Sequence, residues 1–276
     1  MIKQDRFGIV VMLDALGVSY YSLDQCRGFL KKQNEMMISI NNTKKFFKDY
    51  GFFKGILTAT FGDTVVICYP IKEEGKNSHS CLEILGWVGW HLSYILNLGI
   101  KNGILFRGSV SIGEFLYENN IVLGPAIFDA HEWYESADWC GVLLTPKIQL
   151  WLESALEEEK RKESSDAIGL FEYGIIHYPN VPLSHRKNKK ESEEFWVIAW
   201  PAHYYYMGKK SPAGPLGDLS KDLYKIPISK LGETKFKNSI GFFKWYGKEI
   251  YEKNGGDTEN NLTFLWKENP PFFIKQ

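Results

Sequence analysis

Asp14 closes the apolar run Ile9-Val10-Val11-Met12-Leu13, and Asp63 follows Thr60-Phe61-Gly62 directly ahead of Thr64-Val65-Val66-Ile67. A carboxylate at the end of a buried strand costs on the order of several kcal/mol unless something compensates it. Two of them on neighbouring strands also repel each other. A divalent cation between them is the simplest compensation, and Mg²⁺ is usually held by one or two carboxylates together with substrate phosphates. This pair points to phosphoryl or nucleotidyl transfer. Close to it, the main-chain amides of Ala15, Leu16, Gly17, Val18 and Ser19 are expected to open a helix, a geometry that suits polyphosphate. Ordinary capping by Ser19 is compatible with that. Arg107 lies inside an apolar strand, where it could hold a phosphate, fix a carboxylate or form a structural ion pair.

The elements that must position these residues are legible from periodicity. Residues 7–13 read as a strand buried on both faces. Residues 21–49 carry Phe29, Leu30, Met36, Met37 and Ile40 at helical spacing and read as one or two helices. Residues 55–61 and 64–69 form two strands joined by a tight hairpin at Phe61-Gly62-Asp63-Thr64. The apolar stretch 77–100, interrupted by His91, Ser93 and Asn97, reads as a buried helix. Strands follow at 104–113, 120–123 and 141–144. Gly124-Pro125 opens a helix through about 137, and Thr145-Pro146 starts another. The order β-α-β-β-α-β matches a ferredoxin-like split βαβ core, in which the hairpin brings Asp63 beside the end of the first strand. Beyond residue 157 come a charge run, strands at 168–178 and 194–200, a polar tip at 184–191, a loop at 208–222 and a helical region at 223–252.

Composition limits the function classes. The 276 residues are enough for one large domain or a core with an appended subdomain. Lys+Arg and Asp+Glu are both 33, which argues against bulk electrostatic binding of nucleic acid. The four cysteines are scattered without a CxxC pair, so neither a zinc site nor a disulfide framework is expected, and free thiols suit a reducing cytosol. The six histidines show no ligand spacing. No signal peptide and no membrane span are read, and a cytoplasmic protein is expected. The basic run Arg186-Lys187-Asn188-Lys189-Lys190 reads as a solvated tip or as a contact with triphosphate from a partner chain.

Four segments, in order, resemble class III nucleotide cyclases. Asp14-Ala15-Leu16-Gly17-Val18-Ser19 resembles their first metal motif and Phe61-Gly62-Asp63 their second. Arg107-Gly108-Ser109-Val110-Ser111-Ile112-Gly113 resembles their Arg-x-Gly-x-x-x-Gly strand, and Ile121 to Ala130 the strand–Gly–helix segment after it. The likeness covers residues 7–146. It implies an α/β (α+β) fold with a ferredoxin-like βαββαβ palm core over residues 1–157, completed by a C-terminal β/α extension over 158–276. It also implies two Mg²⁺ or Mn²⁺ ions per site, with Asp14, Ala15 and Asp63 as the metal set. The partner is a nucleoside triphosphate, and the sites lie at the interface of a homodimer.

The departures concern the base and the transition state. Ala59 and Ile121 occupy the positions where purine cyclases read the base. Phe128 and Glu132 align with the usual Asn and Arg of the following helix, with Glu135 beyond them. The metal half is kept and the purine-reading half rewritten, as in the stand-alone pyrimidine cyclases of Pycsar anti-phage systems. That resemblance implies cyclic UMP or cyclic CMP synthesis. With apolar side chains at 59 and 121, Tyr50 and Lys54 are candidate base readers, although a core tyrosine and a solvent lysine would explain them as well. The rival expectations are a purine cyclase, another enzyme on the same core, and a cyclase-fold module that binds nucleotide without turnover.

Overall fold

The computed structural model describes residues 6–49, 51–76, 78–162, 174–184, 192–202 and 232–253. The chain runs β1 (Arg6–Ala15), α1 (Leu23–Asn42), α2 (Lys44–Asp49), β2 (Leu57–Phe61), β3 (Thr64–Pro70), α3 (Ser78–Lys101), β4 (Phe106–Glu118), β5 (Ile121–Leu123), α4 (Pro125–Tyr134), β6 (Gly141–Leu144) and α5 (Pro146–Lys162). It continues through β7 (Ile175–Pro182), β8 (Ser192–Ile198) and α6 (Gly232–Tyr246), which ends in a π-helical turn at 247–252. One mixed sheet has the order β2-β3-β1-β4-β6-β8-β7, with β5 attached to β4. The first four strands follow the split βαβ arrangement: β1 is central and antiparallel to both β3 and β4. β6 joins β4 in parallel, and β8 and β7 extend the same sheet.

Strand alternation divides β1 between two cores. Ile9, Val11, Leu13 and Ala15 point into the larger one, shared with α1, α2, α3, α5 and α6. Val10 and Met12 point the other way, into a small cluster with Cys68, Phe115, Ala126 and Ala130 beneath α4. The run is continuous and apolar because both faces are covered.

The polar residues that interrupt α3 are satisfied inside the large core. The His91 ring is fully buried between the Tyr69 hydroxyl, 2.7 Å from Nδ1, and the Thr43 hydroxyl, 3.1 Å from Nε2. Asn97 Nδ2 donates to the carbonyls of Ser93 and Trp200. Cys68, Cys81 and Cys140 are buried, and burial pushes the Cys68 and Cys140 thiols up to about 12 and raises that of Cys81 as well. Cys26, in the first turns of α1, is partly exposed. Among the described residues no helix is long and apolar enough to cross a membrane.

Most expected elements form within two or three residues of the sequence reading, with three departures. β4 runs on to Glu118, five residues past the expected end, and turns back through Asn119 and Asn120, both at positive φ. β7 runs from Ile175 to Pro182, past the expected end at 178, while residues 168–173 of the expected strand lie outside the described residues. The helix expected to start beside Asp14 does not: Gly17, at φ +85°, leads into a single 3-10 turn at Val18–Tyr20, and α1 starts at Leu23. Its cap is Ser22 and not Ser19, with Gln25 completing a reciprocal capping box. The polar tip at 185–191 and the loop at 208–222 lie outside the described residues.

Candidate active site

Asp14 is the next member of the Val10–Met12 row, so the strand's own alternation carries it to the α4 side of the sheet. In the ladder it stands between Thr64 of β3 and Arg107 of β4. Asp63 sits in the β2–β3 turn, where Gly62 takes φ +60°. Its main-chain carbonyl accepts the Ala15 N–H at 3.2 Å, which ties the hairpin tip to the end of β1. The two carboxylates interact electrostatically. Burial raises the Asp14 pKa most, Arg107 opposes it through charge and hydrogen bond, and the charges of Asp63 and Glu135 raise it further; the net direction is up.

Arg107 gathers the rest of the cluster. Its Nε donates to Asp14 Oδ2 at 3.0 Å, with the two side chains 16% and 14% exposed. At that exposure the pair is neither fully desolvated nor fully screened. Its Nη1 donates to the Glu135 carbonyl at 3.1 Å, and the guanidinium carbon lies 5.7 Å from the Tyr134 ring centre, a cation–π distance. The Tyr134 hydroxyl donates to Glu135 Oε1 at 3.1 Å. Burial and then the Glu135 charge push the Tyr134 pKa up to about 12. A second cation, Lys235 of α6, lies within the fields of Arg107, Asp138, Asp14 and Glu135. Burial and Arg107 together hold its pKa below the usual value.

The donor set fits a hard cation. Among the described residues no group of three or more His, Cys, Asp or Glu could hold a metal ion. A cation at Asp14 and Asp63 would therefore take its other ligands from water, from phosphate and from the main chain of Ala15. Mg²⁺ characteristically takes such a mixture, and the raised pKa of Asp14 marks a charge that such an ion would stabilise.

The other expected residues separate into near and far. Ala15 and Leu16 do not offer their amides to a ligand: these donate to the carbonyls of Asp63 and Leu105. The phosphate-facing expectation narrows to Gly17, Val18 and Ser19. Lys54 stands apart from the carboxylates. It is exposed, and its N–H donates to Pro70, which pairs with Gly8, whereas Thr64 pairs with Asp14. That is six strand residues, about 20 Å, away from Asp14. Tyr50 and the 186–190 run lie outside the described residues.

Ala59, nearly buried on β2, and Ile121, 62% exposed at the start of β5, are linked by a residue the sequence reading missed. The Tyr117 hydroxyl lies 3.0 Å from the Thr58 carbonyl and 2.8 Å from Asn120 Oδ1. The signal for this was the Asn119-Asn120 pair, a residue type that tolerates positive φ in tight turns. Phe128 and Glu132 stand one turn apart on the exposed side of α4. Tyr134 and Lys235 were also missed, since only tertiary packing brings them to Asp14.

No protein-family model matches the chain, and no curated protein does. Among solved structures, the chain is similar to the catalytic core of a rhodopsin-guanylyl cyclase with converted specificity in complex with ATPαS. The identity is 10% and the TM-score 0.39, over 72% of this chain and 99% of that one. It is also similar to a bacterial light-regulated adenylyl cyclase, at 12% identity and a TM-score of 0.38, over 82% of this chain. In that second case the likeness spans 57% of the other chain. No residue role follows from likenesses this slight.

Proposed function

We propose that the chain is a nucleotide cyclase that converts a nucleoside triphosphate to a 3′,5′-cyclic nucleotide and pyrophosphate. The observation that carries this reading is the hydrogen bond from Ala15 to Asp63, which holds two carboxylates at one end of β1 with Arg107 between β1 and α4. The order of the four sequence motifs supports it. Two Mg²⁺ or Mn²⁺ ions held by Asp14, Asp63 and the Ala15 main chain would supply activation of the ribose 3′-hydroxyl and a clamp on the triphosphate. Arg107 would orient Asp14 and meet negative charge that develops on the phosphates. Gly17, Val18 and Ser19 would face the polyphosphate.

The substrate in this reading is UTP or CTP. Ala59 and Ile121 would leave a purine's polar edge unpaired, at about 1–3 kcal/mol for each group. Tyr117 and Asn120, beside both positions, are polar groups that could read a pyrimidine, together with Tyr50. The exposed Phe61, Ile121, Leu123 and Phe128 support a homodimer with its sites at the interface. The setting is a cytoplasmic one, and the product would serve as a signal in anti-phage defence.

The test is incubation with Mn²⁺ and each of the four triphosphates separately, with products identified by mass. UTP or CTP should be cyclised at least about tenfold faster than ATP or GTP, a difference of only about 1.4 kcal/mol. Equal or faster cyclisation of ATP sinks the pyrimidine preference. One observation favours a second reading, a module that binds nucleotide without turnover: Arg107 already engages Asp14 Oδ2. In that case triphosphate binds and no cyclic product forms under any of the four conditions. The dimer is tested by mixing an Asp63→Asn chain with a chain disrupted in α4. Recovery of activity places the two halves of one site on different chains, and no recovery despite proven subunit exchange places them on the same chain.

A further inference from the structure

α6 is anchored to the loop that follows α4. The Cys140 N–H donates to Ser239 Oγ at 2.7 Å, and that hydroxyl donates on to the Lys235 carbonyl at 2.6 Å. Asn238 Nδ2 donates to the Asp138 carbonyl at 2.8 Å, and Phe242 meets Trp139 edge-on with ring centres 4.4 Å apart. Ser239 and Phe242 are fully buried, so the position of α6 against residues 138–140 is set by packing as well as by hydrogen bonds. One turn before Ser239, the half-buried Lys235 falls within reach of the charges of Asp14, Glu135, Asp138 and Arg107. Arg107 approaches the same place from β4 and bonds the carbonyl of Glu135 at the start of that same loop.

Two cations close enough to disfavour one another are costly in a half-buried place unless anions lie between them. The carboxylates supply part of that charge, but Asp14 and Asp63 are the pair that a divalent cation would neutralise. With two divalent cations at that pair, their charge and that of Arg107 and Lys235 together would exceed that of Asp14, Asp63, Glu135 and Asp138, and the site would be short of negative charge. A polyphosphate arriving with the cation would restore the balance.

We propose that Lys235 is a phosphate-binding residue of this site, and that α6 is a working part of the site and not an appendage. This rests on the reading of Asp14 and Asp63 as a cation–triphosphate site.

The test is equilibrium binding of inorganic tripolyphosphate in the presence of Mg²⁺ to the full chain, to Lys235→Gln, to Lys235→Arg and to Asp63→Asn, with a thermal melt of each. The expected result is that Lys235→Gln binds at least about tenfold more weakly, that Lys235→Arg recovers most of the loss, and that the Mg²⁺-dependent part of binding disappears in Asp63→Asn. If Lys235→Gln melts differently but binds tripolyphosphate as tightly as the parent chain, Lys235 is only a structural counter-charge and the inference is overturned. If the parent chain binds but Asp63→Asn binds equally with Mg²⁺, the cation–triphosphate reading fails, whatever Lys235 does. Absence of tripolyphosphate binding by the parent chain overturns both.

Discussion

Two polar clusters lie on opposite faces of the same sheet, and they solve the problem of buried polarity differently. On the α3 side, His91 is fully buried between two hydroxyls, and burial holds its ring neutral, with a pKa lowered to about 3. Each ring nitrogen has a neutral partner, and nothing in that arrangement calls for a ligand. On the α4 side, Asp14, Asp63, Glu135 and Asp138 stand against Arg107 and Lys235, partly open to solvent, and the Asp14 pKa is raised. The first cluster is closed by the fold. The second carries more negative charge than its own cations offset, and a cation and a phosphate are what would close it. Burial alone does not separate a structural polar group from a functional one; completeness of its partnership does.

The largest expected effect comes from the open cluster. Asp63→Asn should lower turnover at least about 100-fold, some 2.7 kcal/mol in barrier, while leaving the melt close to the parent's. Retained turnover would reduce Asp63 to a turn residue. A companion measurement concerns pH. The folded-state pKa of Asp14 lies above 3.8, so its charged form is disfavoured in the chain without a cation, and its contribution is most favourable below 3.8 and lost as pH rises through the raised value. Mg²⁺ reverses this by favouring the carboxylate. The Mg²⁺-induced rise in melting temperature should fade as pH falls through that raised value, and should be absent at every pH in Asp14→Asn.

The closed cluster should respond in the opposite way. His91 titrates near 6.5 when unfolded and near 3 when folded, so its contribution is fully present above 6.5 and is lost as pH falls towards 3. Between pH 7 and pH 5 this loss is about 2 kcal/mol. Urea unfolding of His91→Asn at both pH values should show a loss smaller by that amount, with turnover per folded molecule unchanged. An identical pH dependence in the two proteins would mean that the ring is not held neutral.

Ser239→Ala is the smallest change and bears on the open cluster through α6. It leaves the Cys140 N–H without its buried acceptor, at about 1 kcal/mol in urea unfolding. It also loosens the turn that carries Lys235, so tripolyphosphate binding should weaken by more than the stability change alone predicts. Unaltered binding would separate α6 from the site.

How much of this was legible in the sequence depends on the range of the contact. The central position of β1 beside β3 followed from two apolar runs and a Gly-Asp turn, because strand patterning and hairpin geometry are local. The continuation of β4 to Glu118 was missed because Tyr117 and Glu118 break the apolar alternation, although Asn119-Asn120 marked the turn. The start of α1 falls within two residues of the expected 21, but no helix opens at Ala15–Ser19; the cap is the ordinary Ser22-x-x-Gln25 signal, which lies too far along the chain to serve the amides beside Asp14. The place of Lys54 was hidden for a different reason: closeness in sequence to the second strand says nothing about which end of the strand a residue occupies. Tyr134 and Lys235 could not have been found, since Lys235 stands 221 positions from Asp14 and only the docking of α6 joins them.

The unequal burial of the cysteines gives this chain a reporter of its own. Cys68, Cys81 and Cys140 are enclosed, and their raised pKa values keep them from the thiolate form that alkylating reagents attack. Cys26 is partly exposed in the first turns of α1, with its thiol 3.9 Å from the Tyr21 carbonyl, which directly follows the 3-10 turn at Val18–Tyr20. A maleimide dye added to the native protein would therefore mark one position, next to the segment expected to meet polyphosphate. Fluorescence from that dye could follow ligand arrival without any engineered residue.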